Sequence, residues 1–339
     1  MTAEQNIIYD VVGIGNALVD VLAKVSDKFL TERGLTKGSM TLVDAKTAGL
    51  IYNDMIAERE VSGGSVANTM AGLAALGNDC AFIGKVYDDE LGQKFKRDIG
   101  RIGIDFETEP LLKGPATGRS IVLVTPDAER SMFTYLGAAK LLCAADIDEN
   151  VIAMAKYVFL ESYLWDFEDS KEALFKAAKL AQKHGRKVAL TLCDVNYVVA
   201  HRNEMRPFIE EYVDLLFANE NEIKALFDTQ DLDVALDKIK SMIEIAAITR
   251  RNKGSVVVSG KIKTFVEAEK VEDVVDSSGA GDLYAAGFLH ALLEDKPLGI
   301  CALIGGIVAS EVITHYGARP ETSLKSLIRK KLMQYMQNS

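Results

Sequence analysis

The sequence DSSGAGD at residues 276–282 carries the clearest chemical signal in the chain, because it follows a strand-like run at 271–275 and opens an apolar helix. The first amides of a helix lack intrahelical acceptors, and the helix dipole gives them partial positive charge. Gly279 and Gly281 leave room for phosphate oxygens to approach those amides. The turn is therefore predicted to bind a transferring phosphoryl group, and Asp282 to take the proton of the attacked hydroxyl.

A simpler explanation of this motif is a serine-capped helix whose glycines only allow close packing. It accounts for Ser277 or Ser278, but not for the whole cluster. The helix dipole should also favour the ionised form of Asp282, which makes it a weak base. A weak base is sufficient for phosphoryl transfer, because the loose transition state needs the hydroxyl proton to leave only late.

A second glycine-containing turn, GGSVAN at 63–68, also enters a predicted helix. Gly64 and Asn68 are four residues apart and therefore share one helix face. An asparagine amide offers both a donor and an acceptor, which suits the hydroxyls of a polyhydroxylated ligand. Gly63, Gly64 and Asn68 are therefore candidates for substrate binding. A helix start with small residues for packing explains the turn equally well.

The first strand ends in GIGNAL at 13–18, which resembles a dinucleotide-binding fingerprint but fails it. Leu18 occupies the third glycine position, and the residues that follow are strand-like instead of helical. Asn16 and Asp20 could instead present an amide and a carboxylate to neighbouring hydroxyls of a ligand. A solvated turn aspartate is the alternative explanation.

Two further segments are candidates for the nucleotide and its metal ion. Asn219 and Glu222 have the spacing of a capping box, and they could also hold hydrated Mg²⁺ near nucleotide phosphates through water. The segment 249–255 follows a strand and could form either a nucleotide-binding loop or a plain hairpin. Its candidate nucleotide contacts are Thr249, Arg250 and Gly254.

The elements that must position these residues alternate between short apolar strands and amphipathic helices. The predicted strands are 9–14, 80–84, 157–161, 187–191, 215–218 and 246–249. The predicted helices are 66–76, 91–102, 170–185, 221–227, 280–293 and 298–316. Apolar strands that alternate with helices indicate a mostly parallel sheet with helices on both faces, as in a Rossmann-like α/β fold.

Two stretches, 17–43 and 117–136, are interpreted as strands without intervening helices. They predict a small β-sheet lid over the substrate, whereas 1–16, 44–116 and 137–339 are assigned to a large α/β domain. Arg119 and Arg130, on the predicted lid strands, are candidates for phosphate contacts.

Composition excludes several classes of protein. The net charge of -10 argues against a nucleic-acid binder, because phosphate backbones attract basic surfaces. The four cysteines have no CxxC spacing, and the histidines lie too far apart to suggest a metal site. The most apolar stretch, 301–313, is too short to cross a membrane and contains Glu311. We expect a cytoplasmic protein without a membrane or nucleic-acid partner.

The three glycine-containing motifs, in this order, resemble the PfkB (ribokinase-like) family of carbohydrate and nucleoside kinases over about residues 9–319. The C-terminal motif fits the family's DTxGAGD with Ser277 in place of threonine, and the segments 13–20, 129–139 and 214–222 are most similar to its adenosine kinase branch. The resemblance implies a lid over an α/β domain, MgATP as the phosphoryl donor and Asp282 as the base. Some members bind a monovalent cation near Asp276, which the sequence leaves open here.

Roles in the site follow from the same resemblance. The ribose hydroxyls would be bound by Asp20 with Asn16, Gly63, Gly64 and Asn68. The anion hole would comprise Gly279, Ala280 and Gly281. The nucleotide would contact Asn219, Ser277, Gly279 and Gly281, together with Thr249, Arg250 and Gly254, which are candidates from the local sequence and not from the resemblance. Mg²⁺ would be held by Glu222 and Asn219.

Apolar and aromatic residues favour a nucleoside over a free sugar, because recognition of a sugar rests on polar contacts. The candidates for contact with a flat base are Phe133, Tyr135, Leu136, Tyr163, Leu164, Trp165 and Tyr197. Tyr197 matches a base-contacting aromatic of the adenosine kinase branch, although 192–197 departs from that branch and leaves the base open. Ordinary core and lid packing is the alternative for each of these residues.

The first hypothesis is a kinase that phosphorylates the 5′-hydroxyl of a nucleoside, adenosine, to give AMP. The second is a kinase of the same fold that acts on a free sugar such as ribose or fructose. A third, a non-catalytic nucleotide-binding protein, gives no reason for Asp282. The partners would be ATP and the small-molecule acceptor, and the chain would be a monomer or a homodimer.

Overall fold

The computed structural model describes residues 6–38, 40–127 and 129–338. The strands are β1 (Tyr9–Ile14), β2 (Leu18–Lys24), β3 (Met40–Leu42), β4 (Arg59–Gly63), β5 (Cys80–Ile83), β6 (Ile104–Asp105), β7 (Gly118–Val124), β8 (Arg130–Tyr135), β9 (Ala155–Glu161), β10 (Lys187–Thr191), β11 (Leu215–Asn219), β12 (Ile245–Thr249), β13 (Ser255–Ser259) and β14 (Ile262–Val266). The α-helices are α1 (Asp27–Glu32), α2 (Ala45–Asp54), α3 (Ser65–Ala75), α4 (Glu90–Arg101), α5 (Glu149–Ala153), α6 (Glu168–Lys183), α7 (Val195–Tyr212), α8 (Glu220–Leu226), α9 (Leu232–Ile239), α10 (Ala280–Leu293), α11 (Leu298–Val312) and α12 (Leu324–Asn338). The predicted α/β alternation is confirmed.

The large sheet has the order β14-β13-β12-β11-β10-β9-β1-β5-β6. Pairing is parallel from β12 through β6, and antiparallel only between β12, β13 and β14. Successive residues of a strand point to opposite faces, so Val11 enters the core beneath α3, α4, α10 and α11, whereas Val12 enters the core beneath α6 to α9. The mostly parallel sheet with helices on both faces is as predicted.

Parallel strands place their carboxyl ends at one edge of the sheet, where α/β folds bind ligands. At this edge Asn16 follows β1, Glu161 ends β9, Asn219 ends β11 and Thr249 ends β12. A small second sheet lies over the same edge, so residues far apart in the sequence converge there.

The small sheet has the order β3-β8-β7-β2-β4, and two of its features correct the sequence analysis. Strand β4 comes from 44–116, which was assigned to the large domain, and it pairs antiparallel with β2. The stretch 17–43, predicted without helices, contains the short helix α1, which Ser26 caps by accepting from the Phe29 amide at 3.3 Å. The turn at 125–129 contains Ala128, which lies outside the described residues.

Other parts of the chain also bear on the predictions. The run 271–275 is not a strand, because the Val275 and Asp276 amides donate to the Ile313 carbonyl at the end of α11 and not to a sheet neighbour. Helix α7 was not predicted, and it contains Pro207, a residue that usually ends or kinks a helix. The segment 249–255 joins β12 to β13 as a hairpin, and its contact with a nucleotide stays a prediction. In the described part of the chain, no helix has the length and apolar character needed to span a bilayer.

Helices α3 and α10 cross at Gly72, and this glycine should be required for their close packing. A Cβ atom there would lie 2.6 Å from Ala286 Cβ and 2.8 Å from Leu283 Cδ1. We expect Gly72→Ala to lower the free energy of unfolding, because overpacking costs about 1–3 kcal/mol and outweighs a helix-propensity gain of roughly 1 kcal/mol. Urea unfolding measures the change.

Gly100 of α4 provides a matched control, because a Cβ atom at that position would meet nothing within 4 Å. Gly100→Ala should therefore keep the propensity gain and stabilise the protein. Equal effects of the two substitutions would contradict the packing argument.

Candidate active site

A cavity of about 1920 Å³ lies between the carboxyl edge of the large sheet and the small sheet. Its walls come from strands β2, β7 and β8 of the small sheet, from the ends of β9 to β12, and from the helices α10 and α11. Of the predicted site residues, those that line it are Asn16, Asp20, Gly64, Asn68, Leu136, Tyr197, Asn219, Glu222, Thr249, Arg250, Gly254, Ser277, Gly279, Ala280, Gly281 and Asp282. The cavity therefore brings together nearly all the residues singled out by sequence.

The turn that opens α10 has the geometry of an anion-binding site. Its N-cap, Gly279, has φ +75°, and a Cβ atom there would lie 2.4 Å from Ala318 Cβ. A Cβ atom on Gly281 would meet nothing within 4 Å, so this backbone is open on the cavity side. Among the described residues, the amides of Gly279, Gly281 and Asp282 have no acceptor, whereas the Ala280 amide donates to the Ser277 carbonyl at 3.4 Å.

Asp282 is held by two donors from the first turn of α3. The Ser65 hydroxyl donates to Oδ1 at 2.7 Å, and Asn68 Nδ2 donates to Oδ2 at 3.1 Å. Burial raises the pKa of Asp282 to about 6, although these hydrogen bonds and the charge of Arg319 oppose the rise. This raised pKa makes Asp282 a stronger base than the helix dipole alone would predict.

The two positions before α3 require glycine, because neighbouring atoms leave no space for a side chain. Gly64 has φ +106°, and a Cβ atom there would lie 2.2 Å from the Asn16 carbonyl oxygen. A Cβ atom on Gly63 would lie 2.3 Å from Asp20 Cγ, so Gly63 supports Asp20 from behind and does not itself line the cavity. Asn68 Oδ1 is buried without a partner among the described residues, and a ligand hydroxyl could donate to it.

Asp20 and Glu161 are two further carboxyl groups that line the cavity. Burial raises the pKa of Asp20 to about 7, against the lowering effect of Arg319. Burial likewise raises the pKa of Glu161 to about 7, and this side chain is wholly buried. Glu161 Oε1 accepts from the backbone amide and from Nδ2 of Asn16, both at 2.8 Å, and its Oε2 accepts from the Val66 amide at 3.1 Å. Glu161 therefore ties β1 to α3.

Asn219 and Glu222 form the capping box that their spacing predicted. Asn219 Oδ1 accepts from the amides of Asn221 and Glu222, both at 2.9 Å, and a Glu222 carboxylate oxygen accepts from the Asn219 amide at 2.8 Å. Burial raises the pKa of Glu222 to about 7. No cluster of three or more metal-ligating side chains occurs in the described ranges. Glu222 and Asn219 line the cavity and offer the oxygen ligands that Mg²⁺ prefers, and their binding of a hydrated Mg²⁺ ion stays a prediction.

Arginines at the cavity are already engaged with acidic groups. Arg130 of β8 pairs with Asp276, and its Nη2 donates to Ser278 Oγ at 2.8 Å, so a strand of the small sheet touches the turn that opens α10. Arg250 Nε donates to Glu220 at 3.1 Å. Arg119 does not line the cavity, because its guanidinium lies over the Tyr52 ring, 4.9 Å from the centroid.

Several predicted base contacts lie elsewhere. Leu164 and Trp165 are buried in the core beneath α6 and α7, which leaves no free face for a ligand. Phe133 and Tyr135 are buried in the core of the small sheet. These placements correct the expectations for Leu164 and Tyr135.

Aromatic residues do line the cavity at another place. Tyr163 and Tyr197 are in edge-to-face contact, with ring centroids 4.7 Å apart and an interplanar angle of 86°. The cavity therefore keeps an aromatic wall, with Leu136 also on its surface.

Sequence reasoning missed three side chains that the structure places at or beside the cavity. Ser65 belongs to a motif that was recognised, but its contact with Asp282 was not foreseen. The signal for Glu161 was an acidic residue at the end of an apolar strand. Arg319 follows α11 and gave no signal, because its partners, the Ser62 and Ala67 carbonyls and the Ser62 hydroxyl, lie more than 250 residues away in the sequence.

Comparisons with known proteins identify the family. The model of the pfkB family carbohydrate kinases matches residues 52–324. The solved structure of adenosine kinase from Sinorhizobium meliloti is 44% identical, with a TM-score of 0.88 over 96% of this chain and 99% of that chain. A probable sugar kinase from Rhizobium etli CFN 42 is 40% identical, with a TM-score of 0.89 over 96% and 99% of the two chains. A 5-dehydro-2-deoxygluconokinase from Geobacillus kaustophilus is 29% identical over 288 residues, 82% of this chain and 86% of the relative. This chain belongs to the PfkB family of carbohydrate kinases, which are ATP-dependent phosphotransferases.

Proposed function

We propose that this kinase transfers a phosphoryl group from ATP to the 5′-hydroxyl of a nucleoside, with adenosine as acceptor and AMP as product. The edge-to-face pair Tyr163 and Tyr197 on the cavity wall carries the proposal. Apolar lid side chains face the same cavity, namely Leu18, Leu22, Met40, Leu42, Val122 and Met132. A flat base uses such surface, whereas a free sugar does not. The 44% identity to an adenosine kinase supports the same acceptor.

The reaction requires one proton transfer and one displacement at phosphorus. The Asp282 carboxylate takes the proton of the 5′-hydroxyl as that oxygen bonds to the γ-phosphorus and the bond to ADP breaks. The bare amides of Gly279 and Gly281 stabilise the charge on the transferring group. Mg²⁺, when bound through Glu222 and Asn219, would neutralise phosphate charge.

Polar groups at the acceptor side would orient the ribose. Asp20 can accept from two neighbouring hydroxyls, and the unpartnered Asn68 Oδ1 can accept from a third group. We also propose that the small sheet acts as a lid, with Arg130 joining β8 to the phosphate-binding turn. Closure would exclude water and suppress ATP hydrolysis.

A free sugar is the second candidate acceptor. Asn16, Asp20 and Asn68 suit a sugar as well as a ribosyl group, and a probable sugar kinase is 40% identical to this chain. The two candidates share the catalytic turn and differ in whether the aromatic wall is used.

Substitution of the base tests the mechanism. We expect Asp282→Asn to lower kcat by about 10²–10⁴-fold, because proton transfer is lost, while ATP affinity measured by calorimetry is retained. Asp273→Asn, an exposed change in the segment before the turn, serves as the control. Near-normal turnover of Asp282→Asn would refute the assignment.

The raised carboxyl pKa values predict the pH dependence. In the proposed mechanism both Asp20 and Asp282 must be ionised. Burial raises their pKa values to about 7 and about 6, respectively. We therefore expect kcat/KM to fall as the pH is lowered through this range and to be constant above it. A profile that stays flat down to the ordinary aspartate pKa of about 4 would contradict the burial argument.

A panel of acceptors with MgATP separates nucleoside from sugar. Adenosine, inosine, guanosine, ribose and fructose are compared by ADP release, and we expect adenosine to be turned over with the highest kcat/KM. Tyr197→Leu should raise KM for the nucleoside by about 10-fold or more, since base–aromatic stacking is worth about 1–3 kcal/mol, with little effect on a sugar. Turnover of a sugar with adenosine inert would exclude the nucleoside proposal.

A further inference from the structure

A buried arginine joins the two sides of the glycine turn that precedes α3. Arg319 lies in the connection between α11 and α12, outside the cavity wall. Its Nε donates to the Ser62 carbonyl at 3.1 Å, its Nη1 to the Ala67 carbonyl at 3.0 Å, and its Nη2 to Ser62 Oγ at 2.9 Å and to the Ser62 carbonyl. Ser62 lies at the end of β4 and Ala67 in the first turn of α3, so one guanidinium spans the Gly63-Gly64 turn.

Ser62 is fixed from its other side by α4. The Ser62 amide and hydroxyl donate to Asp98 Oδ2 at 2.6 and 2.7 Å. The residue before the glycine pair is therefore held between Asp98 and Arg319. The Gly63-Gly64 turn sets the positions of Ser65 and Asn68, which donate hydrogen bonds to Asp282. It also sets the position of Gly63, which lies against Asp20.

The same connection supports the phosphate-binding turn. The Gly317 amide donates to Asp276 Oδ2 at 2.9 Å, and Ala318 lies against Gly279, where it leaves no space for a side chain. Three consecutive residues, 317–319, thus contact both glycine-containing turns of the site.

The guanidinium also faces the acidic groups of the site. The charges nearest to Arg319 come from Asp20 on β2, Asp98 on α4, Asp282 on α10 and, with like sign, Arg59 on β4. Arg319 lowers the pKa of Asp20 and of Asp282. The negative charge of Asp276 raises the pKa of Asp20. The negative charge of Asp282 raises the pKa of Asp20, Glu161 and Glu222. Arg319 is therefore the positive charge that opposes the desolvation of both carboxylates.

We propose that Arg319 is a positioning residue for phosphoryl transfer, which locks the Gly63-Gly64 turn so that Ser65 and Asn68 orient the ionised Asp282 carboxylate. It contacts backbone and hydroxyl oxygens and does not line the cavity, so it acts through other residues and not on the substrate. A lysine would keep the charge but not the planar set of donors that reaches Ser62 and Ala67 together.

The experiment compares Arg319→Met and Arg319→Lys with Arg329→Met, a matched control at an exposed position on α12. We expect Arg319→Met to lower kcat by about 10²-fold, the size of effect that a small misplacement of reacting groups can cause, with ATP affinity unchanged. As the pH is lowered, kcat/KM of this variant should begin to fall at a higher pH than that of the wild type. The reason is that loss of the Arg319 charge raises the pKa of Asp20 and of Asp282. Arg319→Lys should lower kcat, whereas the pH at which its kcat/KM falls should stay close to that of the wild type, because the positive charge is kept.

A purely structural arginine would give a different pattern. The proposal would be overturned if Arg319→Met lowered the thermal stability while the folded protein kept both the wild-type kcat and the wild-type pH dependence of kcat/KM. If Arg319→Met does not fold, Arg319→Lys decides, and an unfolded Arg319→Lys protein would also overturn it. Partial recovery of Arg319→Met activity by added guanidinium at sub-denaturing concentration would support the proposal.

This inference rests on the proposed role of Asp282, and Asp282→Asn in parallel separates the two. Failure of the base assignment leaves Asp282→Asn active, whereas failure of the positioning assignment leaves Asp282→Asn inactive and Arg319→Met active. The acceptor in these assays is the one with the highest kcat/KM in the panel.

Discussion

The contact between Asp282 and the first turn of α3 is the interaction on which the proposed active site depends. Ser65 and Asn68 each donate to one carboxylate oxygen of Asp282, across two helices that are far apart in the sequence. The helices approach closely enough because Gly72 of α3 faces Ala286 of α10 without a side chain. The packing distance between the two helices and the orientation of Asp282 are therefore linked.

Burial of carboxyl groups is the second constraint. Asp20, Glu161, Glu222 and Asp282 come from four different elements, and burial raises the pKa of each to about 6 or 7. Most of their partners are amides and hydroxyls, which satisfy the oxygens without cancelling the charge. Arg319 supplies positive charge for only two of them. Clusters of this kind are typical of functional sites, where groups must exchange protons near neutrality.

In the proposed mechanism, the chemistry common to the family and the choice of acceptor fall to different parts of the cavity. The turn that opens α10 would serve any alcohol, because its amides are proposed to contact the transferring group and not the acceptor. The aromatic wall of Tyr163 and Tyr197 and the apolar side chains of the small sheet line the rest of the cavity. The relatives include both an adenosine kinase and a probable sugar kinase, as expected if the wall and the lid vary while the turn is kept.

Local patterns of the sequence alone determined much of this protein. The strands β1 and β10 and the helix α10 have the predicted bounds, and the capping box of Asn219 and Glu222 forms as its spacing required. Such features depend on periodicity and on hydrogen bonds between near neighbours. Only the tertiary structure decided that β4 joins the small sheet, that Leu164 and Tyr135 are buried in cores, and that 271–275 is not a strand. It also decided the roles of Glu161 and Arg319, because desolvation and contacts with distant carbonyls depend on what surrounds a side chain, which spacing along the chain does not encode.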